Sequence, residues 1–275
     1  MPELPEVEVS RRGLFPFIVG QQVVSAVVRT PRLRHAVTPG LAERLVGLRL
    51  ETIERRGKYL LFDCASRQGG GWLLLHLGMS GSLRLVAAES PAGKHDHFDL
   101  SFGTSVLRLR DPRRFGALVW HEGSDIERHP LLAVLGIEPL SAGFDGNWLY
   151  AATRQRHGPI KPLLMDSRLV VGIGNIYAAE SLFQAGVSPR RAANRISLQR
   201  YRVLADAIRS TLEKAIAAGG SSVRDYVHSD GGAGCFQLTC AVYGRAGEPC
   251  PACGQAVRML RQSGRSTFYC AHCQR

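Results

Sequence analysis

The sequence predicts an α+β protein with an antiparallel β-sandwich first, a helical middle and a zinc-binding hairpin last. Three observations carry this. Between Val23 and about Trp120 the patterns are mostly strand-like, with apolar residues alternating at period two. Beyond the 136–139 region the spacing lengthens to four residues. Four of the seven cysteines fall between Cys250 and Cys273.

In the first part, Phe98-Asp99-Leu100-Ser101-Phe102 and Val106-Leu107-Arg108-Leu109-Arg110 alternate with period two. Turns punctuate them at Gly78-Met79-Ser80-Gly81 and Asp111-Pro112-Arg113-Arg114-Phe115-Gly116. A first helix is expected over about Glu6 to Leu14. In the middle, Leu204, Ile208, Leu212 and Ile216 mark a helix from an N-cap at Ser197 to a stop at Gly219-Gly220. A shorter helix is expected over about Asn175 to Gln184, ending at Gly186. The glycine-rich, polar stretch from Gly219 to Gly234 reads as a mobile loop.

The chain carries a net charge of +12, a surplus built from arginine: of 35 basic residues only Lys58, Lys94, Lys161 and Lys214 are lysine. Such a surplus favours a polyanionic partner, because cationic side chains gain by releasing the counterions of a phosphate backbone. A GC-rich genome also raises arginine, so charge alone does not decide the partner. No apolar run is long enough to span a bilayer. Glu3 and Glu6 stand where a signal peptide would carry cations, so a cytoplasmic, nucleoid-associated protein is expected.

Cys250, Cys253, Cys270 and Cys273 form C-x2-C-x16-C-x2-C, the spacing of a four-thiolate zinc site. Four protein ligands leave no open position, so one structural Zn2+ is expected rather than a catalytic one. His272 lies inside a knuckle and is the weaker ligand candidate. Cys64, Cys235 and Cys240 lack such spacing and read as ordinary buried residues. The hairpin also bears Arg258, Arg261 and Arg265, either a phosphate-binding ribbon or a solvated basic turn.

Chemistry is suggested at the N-terminus. A small residue after Met allows its removal, which leaves Pro2 as a secondary amine. An α-amino group titrates near 7.7–8.0 against about 10.4 for lysine, so far more of it is nucleophilic at neutral pH. Attack on a sugar C1′ gives an iminium directly. Glu3 and Glu6 could shuttle protons beside it. The same residues also suit a plain helix start, with proline at the first turn and acids at its positive end.

The combination is more specific than its parts. Pro2-Glu3-Leu4-Pro5-Glu6-Val7-Glu8, Gly57-Lys58-Tyr59-Leu60, His76-Leu77-Gly78-Met79-Ser80-Gly81, Lys94-His95-Asp96-His97, Asp111 to Gly116, Ile160-Lys161-Pro162, Gly172 to Tyr177 and the cysteine hairpin occur in one order. Together they resemble the formamidopyrimidine-DNA glycosylase family over essentially the whole chain. The resemblance implies an N-terminal catalytic β-sandwich domain (1–133), a helix–two-turns–helix DNA-binding domain with a lesion-recognition loop (134–234) and a zinc-finger domain (235–275). It implies a monomer acting on damaged double-stranded DNA, removing 8-oxoguanine and formamidopyrimidines and cleaving the abasic site by β,δ-elimination.

By the same resemblance Pro2 is the Schiff-base nucleophile, Glu3 the proton donor in base release and Lys58 a proton donor in β-elimination, with Glu6 a supporting acid. Arg265 matches an arginine often given a proton-donor role in δ-elimination; because guanidinium stays protonated, it reads better as a phosphate clamp. His95, Arg114, Arg156 and Lys161 resemble backbone-contacting residues. Gly172 and Gly174 before Asn175 put backbone N–H groups at a helix start, where a phosphate can bind. A base inside a duplex must be flipped out to be cut, leaving a hole in the stack. Met79, Arg113 and Phe115 are the wedge that would fill it. His95-Asp96-His97 is not read as a second metal site, because neighbours on a strand face opposite ways. Ser221, Ser222 and Tyr226 are the lesion-loop candidates. Two other readings remain: an endonuclease VIII-like enzyme for oxidised pyrimidines, and a non-catalytic damage sensor.

Overall fold

The computed structural model describes residues 2–67, 69–220 and 239–275. These group into two compact units: one runs to Ala133 and takes in 218–220, the other joins Val134–Ala217 to 239–275. Among the described residues no helix is long and apolar enough to cross a membrane.

The first unit is a sandwich of two four-stranded antiparallel sheets. One has the order β1 (Ser25–Val28), β6 (Asp96–Ser101), β7 (Ser105–Arg110), β5 (Ser82–Ala87). The other runs β2 (Arg49–Arg56), β3 (Tyr59–Ser66), β4 (Gly69–His76), β8 (Ala117–Glu122). Period-two alternation puts Leu60, Phe62, Leu73, Leu75, Phe98, Leu100, Leu107 and Leu109 into one shared core. Helix α1 (Leu4–Ile18) lays Val7, Leu14 and Ile18 into that core. It starts earlier and ends later than its local pattern suggests, running on through Gly13 and Pro16. Burial of Leu14 and Ile18 outweighs the helix-breaking tendency of those two residues. Two shorter helices, α2 (Leu41–Leu45) and α3 (Pro130–Ala133), complete the unit.

The second unit contains α4 (Gly146–Thr153), α5 (Ile160–Leu164), α6 (Asn175–Gln184) and α7 (Leu198–Ala217). The Asp145 side chain caps α4 by accepting from the Trp148 N–H at 2.7 Å. Ser197 Oγ accepts from the Arg200 N–H at the start of α7. Leu204, Ile208, Leu212 and Ile216 are all buried, as their spacing requires. Gly146 lies flat against Arg202, whose Cα would stand 2.3 Å from any Cβ there, so α4 and α7 cross backbone to backbone.

In the same unit β9 (Arg258–Gln262) and β10 (Arg265–Tyr269) form the cysteine hairpin. Ser263 and Gly264 both have positive φ, the two-residue turn whose twist matches a hairpin. The hairpin is fastened to the helices. Glu180 on α6 accepts the N–H groups of Ala241, Val242 and Tyr243. The side-chain amides of Gln262 and Gln274 donate to the carbonyls of Pro189 and Val187.

Candidate active site and nucleic-acid interface

The start of α1 carries both capping and candidate chemistry. Pro2 is buried, Glu3 occupies the N-cap in extended conformation, and Glu6 Oε2 accepts the Glu3 N–H at 2.7 Å. Glu6 therefore performs the helix-start role that its position allows, beside any role toward the amine. The backbone of Gly220 presses on the same carboxylate: a Cβ there would lie 3.0 Å from Glu6 Oε1.

One turn further, Glu8 collects three arginines. Its carboxylate accepts from Arg11, Arg12 and Arg55 at 2.7–3.1 Å. Burial pushes this carboxyl up, but the hydrogen bonds from Arg11 and Arg12 and the charges of Arg11 and Arg55 outweigh it and hold the group down at about 2. Arg55 also donates to the Gly57 carbonyl. Gly57 turns β2 into β3 with φ +59, and Lys58 follows it. The helix that Pro2 and Glu3 lead into and the turn bearing Lys58 are thus tied through Glu8 and Arg55.

Beside this turn, His76 stacks edge-on to Tyr59 and accepts the Gly78 N–H on Nδ1. Burial, and then the positive charges of Lys58, Arg34 and His35, push its imidazole down to about 4. It is a neutral group in a cationic surrounding, suited to an approaching phosphate chain.

The wedge candidates project from two neighbouring turns. Met79 is 39% and Phe115 44% exposed, so both apolar side chains are accessible at the tips of these turns. The Arg113 guanidinium lies 4.9 Å over the Phe115 ring. Arg114, also exposed, adopts φ +55 to turn the chain back into β8. His95 is half-buried, and its carbonyl accepts the Asp111 N–H.

In the second unit Lys161, at the first turn of α5, is 1% exposed. Its ammonium donates to Asn175 Oδ1, Thr267 Oγ1 and the Ser266 carbonyl at 2.7–3.1 Å. Asn175 Nδ2 donates to the same carbonyl. The glycine turn at Gly172 and Gly174, the start of α6 and the strand after the hairpin tip therefore meet at one buried cation. A cavity of about 210 Å³ opens on this cluster, lined also by Arg265, Gln262 and Asp166. Arg265 and Arg156 are both exposed.

The four cysteine Sγ atoms lie within 4.8 Å of one another, the one such donor group among the described residues. A tetrahedral zinc with bonds of about 2.3 Å spaces its sulfurs roughly 3.8 Å apart. The Cys253–Cys270 and Cys250–Cys273 separations of 3.5 and 3.9 Å fit that ion. His272 is exposed and outside the group. Cys64 and Cys240 are buried, as expected of residues outside the metal pattern. Cys235, Ser221, Ser222 and Tyr226 lie outside the described residues, as does most of the expected lesion loop.

Three family models match the chain in succession. They are the formamidopyrimidine-DNA glycosylase N-terminal domain over residues 1–118, its H2TH domain over 135–227, and a zinc finger found in FPG and IleRS over 247–275. A formamidopyrimidine-DNA glycosylase of Dechloromonas aromatica (strain RCB) is 60% identical over 276 residues, covering all of both chains. The chain belongs to the formamidopyrimidine-DNA glycosylase family. Another member, from Ralstonia pickettii (strain 12J), is 53% identical over the whole of both chains. Among solved structures, a Lactococcus lactis FPG mutant in complex with Fapy-dG-containing DNA superposes with TM-score 0.91 at 36% identity, covering 99% of each chain. The FPG protein of Thermus thermophilus gives 0.88 at 41%, over 99% of this chain and 98% of that one.

Within this formamidopyrimidine-DNA glycosylase scaffold, several residues that organise the candidate site carry no signal of their own in the sequence. Glu8, Arg55, His76, Ser80 and Asp111 lie inside or beside the quoted motifs but match no metal, triad or phosphate-loop pattern. Their partners are 47 residues away for Glu8 with Arg55 and 31 for Ser80 with Asp111. Packing of α1 on β2 brings the first pair together, and the pairing of β5 with β7 the second.

Proposed function

We propose that this protein is a base-excision DNA repair enzyme. It is a bifunctional glycosylase and abasic-site lyase that removes 8-oxoguanine and formamidopyrimidines from double-stranded DNA. The observation that carries the reading is the Pro2-Glu3 start of α1, tied through Glu8 and Arg55 to the turn bearing Lys58, in a chain of this family. Solved relatives from Lactococcus lactis are complexed with Fapy-dG and with abasic-site DNA.

In this reading the Pro2 amine, once Met1 is removed, bonds to C1′ of the flipped nucleotide. The N-glycosyl bond breaks with Glu3 as proton donor, and its electron pair leaves with the base. The amine lone pair then opens the sugar ring to an iminium as O4′ takes up a proton. Loss of a C2′ proton then expels the 3′ phosphate, with Lys58 as proton donor, and loss of a C4′ proton expels the 5′ phosphate. Hydrolysis of the imine frees Pro2. Met79, Arg113 and Phe115 fill the vacated stack. His95, Arg114, Arg156 and Arg265 engage the phosphates, with backbone N–H groups at the start of α6. Lys161, expected from the sequence to contact the backbone, is buried and spends its ammonium on Asn175, Thr267 and the Ser266 carbonyl, so it holds Asn175 and the hairpin in place instead. Zinc bound by the four cysteines fixes the hairpin that presents Arg265 and takes no part in the chemistry.

The enzyme works as a monomer with its catalytic part in 1–133, its DNA-binding helices in 134–234 and its finger in 235–275, at the nucleoid in the cytoplasm. The positive charge of the chain supports a place beside DNA.

Borohydride trapping tests the reading. Met-processed protein is mixed with a duplex holding one 8-oxoguanine opposite cytosine, with a Pro2→Gly control and a thymine-glycol duplex alongside. A crosslink on the first duplex that the control loses is expected. Trapping mainly on thymine glycol would move the protein to oxidised pyrimidines, and binding with neither crosslink nor strand scission would leave only a damage sensor.

A further inference from the structure

The turn between β4 and β5 and the turn between β7 and β8 are built as one piece. Asp111 is fully buried (0% exposed), and its two carboxylate oxygens are divided between the turns. Oδ1 accepts from Ser80 Oγ at 2.9 Å, across to the Met79 turn. Oδ2 accepts from the Gly116 N–H at 2.8 Å, across its own turn. Ser80 Oγ in turn accepts the Arg113 N–H at 3.3 Å, so this hydroxyl is bonded to the second turn at two points, its first residue and its middle. The Asp111 backbone is held equally: its carbonyl bonds His97 Nε2 and the Arg114 N–H, and its own N–H bonds the His95 carbonyl.

The two backbones also touch. A Cβ on Gly78, whose φ is +64, would fall 2.4 Å from the Phe115 carbonyl carbon. One on Gly116 would lie 2.7 Å from the His76 carbonyl oxygen. Neither position admits a side chain without driving the turns apart. From this block only Met79 and the 112–115 run are exposed.

We propose that Ser80 and Asp111 form a clasp that positions Met79, Arg113 and Phe115 as a single rigid wedge for expelling the damaged nucleotide from the stack. The proposal rests on the wedge role given above to those three residues. Separately mobile turns would lose conformational freedom on entering the duplex, and that cost would subtract from the unstacking the wedge has to drive. Turns already bonded to each other lose little. Ser80 and Asp111 are buried beneath the exposed tips of the two turns and act as positioning residues.

Removing the Ser80 hydroxyl leaves Asp111 Oδ1 and the Arg113 N–H without partners, a loss typically worth a factor of about ten. Ser80→Ala is therefore expected to slow single-turnover excision of 8-oxoguanine paired with cytosine about tenfold. Strand cleavage at a preformed abasic site, whose extrusion breaks no base pair, should slow less than about twofold. Rates are normalised to the fraction of each sample that crosslinks to abasic DNA under borohydride, so misfolded protein does not count. Asp111→Asn is expected to split the two reactions in the same direction.

In a Met79→Ala, Arg113→Ala, Phe115→Ala background, adding Ser80→Ala should cause no further slowing, because the clasp acts only through the wedge. Equal slowing on both substrates, or no slowing on either, overturns the proposal. If Met79→Ala and Phe115→Ala themselves leave excision intact, the wedge reading has failed and the clasp falls with it. If those two slow excision while Ser80→Ala does not, the clasp alone is wrong.

Discussion

Glu8 is where a single side chain bears most weight. It lies on the candidate nucleophile's helix, is 7% exposed, and is compensated by three guanidinium groups. Glu8→Gln would leave Arg55 buried beside a neutral amide and is expected to cost about 2 kcal/mol at pH 7, allowing for the water around Arg12. The native carboxyl titrates at about 2, against 4.5 for an ordinary one. A depressed carboxylate stabilises the fold fully above its unfolded value, and that contribution disappears as pH falls from about 4.5 toward 2. Thermal melts of the native protein and of Glu8→Gln should therefore converge as pH is lowered through that window. A gap that stayed constant with pH would show that the ion pairs contribute nothing net. His76 has the same sense of pH dependence: its folded value of about 4 lies below the ordinary 6.5, so protonation of the unfolded chain between them weakens the fold.

At the scale of elements, caps and metal decide what stands. Asp145→Ala removes the acceptor for the Trp148 N–H and is expected to cost about 1 kcal/mol, read as a shift in the urea midpoint at unchanged slope. Chelation of zinc should have a larger effect. The β9–β10 hairpin has few buried residues of its own, and its strands are largely exposed on one side. Without the ion the hairpin keeps only the side-chain bonds of Glu180, Gln262 and Gln274 and one small apolar cluster. DNA affinity should fall at least tenfold by fluorescence anisotropy, because the order of Arg258, Arg261 and Arg265 goes with the hairpin. Affinity unchanged after the zinc has been measured as removed would contradict this. Helix α6 was legible to the residue, Asn175 to Gln184, because a glycine start and a Gly186 stop bracket a clean apolar pattern. Helix α1 was not, because its outer turns are held by a sandwich core that local pattern does not contain.

For the whole molecule the net charge of +12 is the leading quantity. The logarithm of DNA affinity should fall linearly with the logarithm of salt, by about 0.9 for each phosphate engaged. Arg265→Ala should lower that slope by roughly one and weaken lesion and undamaged duplexes alike. Met79→Ala should leave the slope unchanged, since a thioether displaces no counterion. A slope that does not move with Arg265→Ala would remove the phosphate role from that residue. Much of this outline was legible in the sequence: the period-two region became the two sheets, the period-four region became α7, and the cysteine spacing became the thiolate cluster. Each of these signals is either repeated along the chain or confined within a few residues of it.

What the sequence determined by itself is therefore local and periodic. It determined strands by alternation, helices by apolar spacing and caps, a zinc site by knuckle spacing, and an N-terminal proline among acids. The tertiary structure decided the long-range pairings: Glu8 with Arg55, Lys161 with Thr267 across 106 residues, and Ser80 with Asp111. It also decided which lysine is buried and which aromatic is exposed. The physical reason is that one polar side chain's bonding partner is chosen by strand register and helix packing, which arise from the sum of many weak apolar contacts. No single residue's type or spacing encodes that sum.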